Sequence, residues 1–220
     1  MAAKITELVF ILDKSGSMSG LERDTIGGFN SMLAKQKEEP GEVIVTTVLF
    51  DHGYELLHDR TNIRGVRPIT EKEYSVGGCT ALLDAVGKTI NKISTSQKFI
   101  CESQRSDKVM FVIITDGMEN SSKEFDHGKV KEMIETQKKE HDWEFIFLGA
   151  NIDAVSTAAK IGIMANRAAN YHADSQGTRM NFNVISEAVS CLRQNSTIAE
   201  DWKAEIDADF ESRDVKERKK

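Results

Sequence analysis

Four unbroken apolar runs constrain this chain more than any other feature. They are LVFIL (8–12), VIVTTVLF (43–50), VMFVII (109–114) and EFIFLG (144–149). A strand with one wet face alternates apolar and polar residues. A run without alternation fits a strand buried on both faces, as in a parallel sheet covered by helices. The segments between the runs carry the helical period instead. In LERDTIGGFNSMLAKQKEE, residues Leu21, Ile26, Phe29, Leu33 and Gln36 fall near one face. TALLDAVGKTINKI repeats apolar residues at 82, 83, 86, 90 and 93, and HGKVKEMIETQKKEH does so at 130, 133 and 134. NVISEAVSCLRQ, from 183, reads as a further helix. The glycines of IGGFNS lie inside the first helix, where they are expected to let it approach the sheet closely.

Strands alternating with helices predict βαβ units and a mainly parallel sheet. LFDHGYELLHD departs from that pattern. Asp51, His52 and Gly53 predict a tight turn, and with it an antiparallel edge strand at about 54–58. The expected fold is therefore α/β: a doubly wound, mostly parallel sheet with one antiparallel edge strand and helices on both faces. Residues 1–195 are expected to form this domain, and 196–220 a charged helical tail with an apolar stripe of Trp202, Ile206 and Phe210.

Within the 220 residues, a net charge of −6 argues against a nucleic-acid binder that works through a broad basic face. The apolar runs are too short to cross a membrane, and the first residues lack a cleavage-type region. The three cysteines, Cys79, Cys101 and Cys191, show no metal-type spacing and read as reduced thiols. A cytoplasmic protein without membrane or nucleic-acid partners, and a monomer, is the expectation.

Side chains with oxygen donors gather at the carboxyl ends of the expected strands, where open α/β sheets bind ligands. Asp13 ends the first apolar run, and Ser15 and Ser17 follow in FILDKSGSMSG. IITDG puts Asp116 at the end of another strand, and SVGGCTALLDA puts Thr80 in a glycine-rich loop before a helix. Two carboxylates and three hydroxyls form a hard-oxygen set, suited to Mg²⁺, Mn²⁺ or Ca²⁺ rather than zinc or copper. Asp84 and Glu119 are candidates for supporting the site from behind. Asp84 equally suits the positive end of its own helix. Cys79 is expected as a small half-buried filler, Lys14 as a solvated lysine, and Asn151 as a helix cap.

DKSGSM, then GGCT, then TDG, in this order and each at a strand end, resembles the von Willebrand factor A domain and its metal-ion-dependent adhesion site. The resemblance covers roughly residues 5 to 195, and the chain is most similar to stand-alone bacterial or phage cytosolic members. It implies that Asp13, Ser15, Ser17, Thr80 and Asp116 hold the metal, Mg²⁺ first. It also implies that a partner protein offers an Asp or Glu to that metal. No histidine lies beside the motifs, and neither a dinucleotide fingerprint nor a P-loop is present. A non-enzymatic, metal-dependent adaptor is therefore the first expectation. A metal-dependent phosphohydrolase, or a structural subunit of a larger assembly, is the alternative.

Overall fold

The computed structural model describes residues 4–195 and 197–217. Six strands form one sheet: β1 (Ile5–Asp13), β2 (Glu42–Phe50), β3 (Tyr54–Asn62), β4 (Lys108–Thr115), β5 (Glu144–Ala150) and β6 (Ala168–Tyr171). Their order is β3-β2-β1-β4-β5-β6, and every neighbouring pair is parallel except β2 with β3. The mixed sheet with one antiparallel edge strand is therefore as the sequence predicts. The winding direction changes between β1 and β4, so the crevice at their carboxyl ends is the natural place for a ligand.

The helices are α1 (Glu22–Glu38), α2 (Leu82–Phe99), α3 (His127–His141), α4 (Ala154–Lys160), α5 (Ser175–Asn195) and α6 (Ala204–Glu217). Because side chains alternate along a strand, β1 feeds two cores at once. Leu8, Phe10 and Leu12 join the core under α1, α5 and α6, while Val9 and Ile11 join the one under α2, α3 and α4. Phe10 meets Phe29 edge-on with centroids 5.3 Å apart, and on the other face Phe111 stacks on Phe145 at 4.8 Å. Such aromatic contacts add specific geometry to the area they bury.

Several details differ from the sequence reading. β3 runs on to Asn62, and β6 is a strand of only four residues that carries no readable period. α5 begins well before 183, at a polar stretch from Ser175. Asn151 does not cap α4. It adopts a left-handed φ of 55°, and Asp153 is the cap, accepting from the Ser156 amide at 2.9 Å. Of the two glycines in α1 only Gly28 is needed for packing, and it serves helix–helix rather than helix–sheet contact: a Cβ on it would lie 2.3 Å from the Phe182 ring of α5, whereas a Cβ on Gly27 would meet nothing within 4 Å. The segment after α5 lies against the sheet edge. Trp202 and Ile206 are buried, and the Trp202 indole donates to the Asn166 carbonyl at 2.8 Å. Phe210 stacks on His172 with centroids 4.7 Å apart.

Candidate metal centre

β1 delivers Asp13 to the crevice opposite Phe50 of β2. The chain then turns at once, because the Asp13 carboxylate accepts the Ser15 amide at 2.7 Å, a local turn that a short Asp or Asn side chain favours. Met18, 1% exposed, anchors the short helical turn Gly16–Met18 in the core. Backbone bonds tie this loop to the next: the Gly16 amide donates to the Gly78 carbonyl at 3.0 Å and the Gly77 amide to the Lys14 carbonyl at 2.9 Å. Gly78 is required there. Its φ is +78°, and a Cβ would stand 2.4 Å from His52 of the hairpin. The hairpin also receives the Ala81 amide, 2.7 Å from the Asp51 carbonyl.

These constraints bring all five oxygen-bearing side chains into one cluster. Thr80 Oγ1 donates to Ser15 Oγ at 3.0 Å, and the Ser15 and Ser17 hydroxyls lie 3.1 Å apart. Ser17 Oγ donates to Asp116 Oδ1 at 2.5 Å. Asp13, Ser15, Thr80 and Asp116 are each at most 3% exposed, whereas Ser17 faces solvent. Gly117 closes the cluster from below; a Cβ on it would sit 2.8 Å from Thr80 Oγ1 and 3.1 Å from Ser17 Oγ.

Burial pushes the Asp13 carboxyl up to about 6, the nearby Asp116 charge adds to this, and hydrogen bonds from Thr115 and Ser15 oppose it. Burial raises the Asp116 carboxyl as well, against the Ser17 hydrogen bond. Two buried carboxylates side by side favour a proton or a cation between them. Asp116 Oδ2 is buried and has no hydrogen-bond partner. An orphaned carboxylate oxygen beside hydroxyls fits a hard divalent cation, which these residues are suited to hold. Among the described residues no three His, Cys, Asp or Glu side chains come together, so the donor set depends on the hydroxyls.

The two candidates for support do not touch the cluster. Asp84, near the start of α2, accepts the amides of Lys123, Glu124 and Phe125 at 3.0, 2.9 and 2.9 Å. Burial alone raises its carboxyl, but these three donors outweigh that and hold it below the usual range. Glu119 accepts the Leu83 amide at 2.9 Å and the Ser121 and Ser122 amides at 2.9 and 2.8 Å. Both carboxylates fasten the loop after Asp116 to the first turn of α2. Asn120 completes the clamp: its side chain accepts the Thr80 amide at 2.9 Å, and its amide donates to the Thr80 carbonyl at 3.0 Å.

Two further residues act behind Asp13, and neither stands out in the sequence. Thr115, the last residue of β4, donates to Asp13 Oδ2 at 2.6 Å. Tyr74, 1% exposed, donates its hydroxyl to the Asp13 carbonyl. Thr115 was readable in principle, since it sits one residue before Asp116 on a neighbouring strand. Tyr74 was not, because the loop that carries it has no period. Two expectations are corrected. Cys79 is exposed rather than half-buried, because the glycines lift its loop off the core, and Lys14 pairs with Glu55 at 2.7 Å rather than standing free in solvent.

No family model matches this sequence, and no curated protein matches it. Solved structures do. A von Willebrand factor type A protein from Catenulispora acidiphila superposes with a TM-score of 0.53 at 13% identity, over 84% of this chain and 42% of that one. The chain has the von Willebrand factor A fold. The ArnB paralog VWA2 from Sulfolobus acidocaldarius shares that fold at TM-score 0.53 and 18% identity, over 84% of this chain and 45% of its own. Proximal thread matrix protein 1 from the mussel byssus, in a structure with a zinc-occupied MIDAS motif, superposes at 0.56 with 14% identity, over 86% of this chain and 46% of its own. The present chain thus spans less than half the length of each of these chains.

Proposed function

We propose that this A-type chain is a non-enzymatic, divalent-cation-dependent protein-binding module. Asp13, Ser15, Ser17, Thr80 and Asp116 would hold the cation, Mg²⁺ in first place, with Mn²⁺ or Ca²⁺ as alternatives. The observation that carries the reading is the buried, unpartnered Asp116 Oδ2 beside three linked hydroxyls, with Ser17 open to solvent. The zinc-occupied motif of the mussel protein, whose fold this chain shares, is in keeping with it. Bound there, the cation supplies a positive coordination position open to an incoming carboxylate. Neutral hydroxyls leave more of the charge exposed than a set of carboxylates would, and that favours an Asp or Glu from a partner protein.

The chain's own residues supply the rest. Tyr74, Thr115 and Asn120 hold the loops in place before anything binds, which lowers the ordering cost of association. Lys14, the charged residue closest in sequence to Asp13, is committed to Glu55 and does not reach into the centre. That arrangement supports binding rather than phosphoester hydrolysis.

An array of acidic peptides beside their Asn and Gln counterparts, probed in Mg²⁺ and in EDTA, tests the reading. Retention of Asp- or Glu-containing peptides by the wild type in Mg²⁺, lost in EDTA and in Asp13→Ala, is the expected result. Equal retention in chelator, or no preference for acidic over amide peptides, would count against it.

A further inference from the structure

A second site lies at the opposite end of the sheet, about 25 Å from the metal centre along β4. There a cavity of about 270 Å³ opens between the last turns of α2 and α3 and the segments that enter β4 and β5. Its floor is built, not loose. Gln97 and Ser106 both donate to the carboxylate of Glu7, which is 0% exposed, with Ser106 Oγ at 2.9 Å. Arg60 holds the same carboxylate at 3.1 Å, and the Ser106 amide donates to Gln97 Oε1 at 3.2 Å. The Trp143 indole, stacked on Phe111 at 5.4 Å, gives the cavity a rigid aromatic wall.

Two observations point to a ligand. Gln137 lines the cavity, is only 9% exposed, and its Oε1 is buried without a hydrogen-bond donor. Such an acceptor is costly unless something donates to it. The mouth, in a protein of net charge −6, carries Lys98, Arg105 and His141 and no carboxylate. Among the described residues neither Lys98 nor Arg105 is placed in an ion pair.

The geometry points to a site for one nucleoside monophosphate. The base would lie against the exposed edge of Trp143, a turn of the Gln137 side chain would bring its amide oxygen to an exocyclic N–H of the base, and the phosphate would meet Lys98 and Arg105. The volume of about 270 Å³ falls just below the usual range for ligand sites, so it would enclose the base while the phosphate stays at the open mouth. The inference does not depend on the metal centre.

Calorimetric titration of the full chain, kept in EDTA, tests it with AMP, GMP and CMP, their parent nucleosides and inorganic phosphate as probes. We expect at least one nucleotide to saturate a single site with a Kd of about 0.1 mM or tighter, and its nucleoside and phosphate alone to bind about tenfold more weakly. Arg105→Ala, a change at an exposed position, should weaken binding by about tenfold, as should Gln137→Leu, while Asp13→Ala leaves it unchanged. Absence of saturation by all three nucleotides overturns the proposal. So does phosphate alone binding as tightly as the nucleotide, or Arg105→Ala without effect.

Discussion

Asp13 is the residue on which the centre turns, and its environment makes the fold sensitive to pH. Its carboxyl is raised to about 6 from an ordinary 3.8, chiefly by burial. The folded chain without metal therefore holds this proton more tightly than the unfolded chain does. The associated stability is fully present below the unfolded value, and is lost as pH rises through the folded one. Its full span is about 3 kcal/mol. Urea unfolding in EDTA should show this component falling between pH 4 and 7 in the wild type, and absent in Asp13→Asn. Saturating Mg²⁺ should restore stability at pH 7, by about 3 kcal/mol at a hundredfold excess over Kd. Asp84 has the opposite sign, since its carboxyl is held low and its contribution is present above the usual carboxylate range. Asp84→Ala frees three loop amides and should lower stability at pH 7 by about 2–4 kcal/mol in chemical denaturation. It should also weaken Mg²⁺ binding, because the loop it pins follows Asp116 directly.

At the scale of elements, small residues set how closely the parts approach. Gly117 leaves no room for a methyl beneath Thr80 and Ser17, so Gly117→Ala should keep the circular dichroism of the fold while weakening cation binding about tenfold or more. Gly28→Ala should act elsewhere: it pushes α1 off Phe182 and should cost about 1–3 kcal/mol in denaturation with cation affinity unchanged. The sequence showed the strand ends plainly, because β1, β2, β4 and β5 are continuous apolar runs and each of Asp13 and Asp116 closes one of them. Ser15 and Ser17 follow directly from the first of these ends, but Thr80 does not stand at a strand end: it lies in the loop between β3 and α2, and only the glycine-rich GGCT stretch before the helix marked it. It could not show Tyr74 or Asn120, whose roles depend on loops folded back across long separations. Nor could it assign Asp84 and Glu119 to the loop amides, since spacing gives proximity to α2 and not the direction of a hydrogen bond. β6 and the start of α5 stayed hidden because their buried faces are too short or too polar to set a period.

Across the whole molecule, the fold places the two candidate sites at opposite ends of one sheet. The oxygen cluster sits at the carboxyl ends of β1 and β4, and the basic cavity at the amino ends of β4 and β5. The segment after α5 is part of this structure through Trp202 and Ile206. Trp202→Ala should cost about 3–5 kcal/mol in denaturation, as for other buried aromatic truncations. The most direct test of the central claim is calorimetric titration of EDTA-stripped protein with Mg²⁺ and Mn²⁺, in the wild type and in Asp13→Asn and Asp116→Asn. One saturable cation per chain, lost in both variants while their folds persist, is the expected result. No saturable binding by the wild type, or binding unchanged by both substitutions, would contradict the assignment of the five-oxygen cluster as a metal centre.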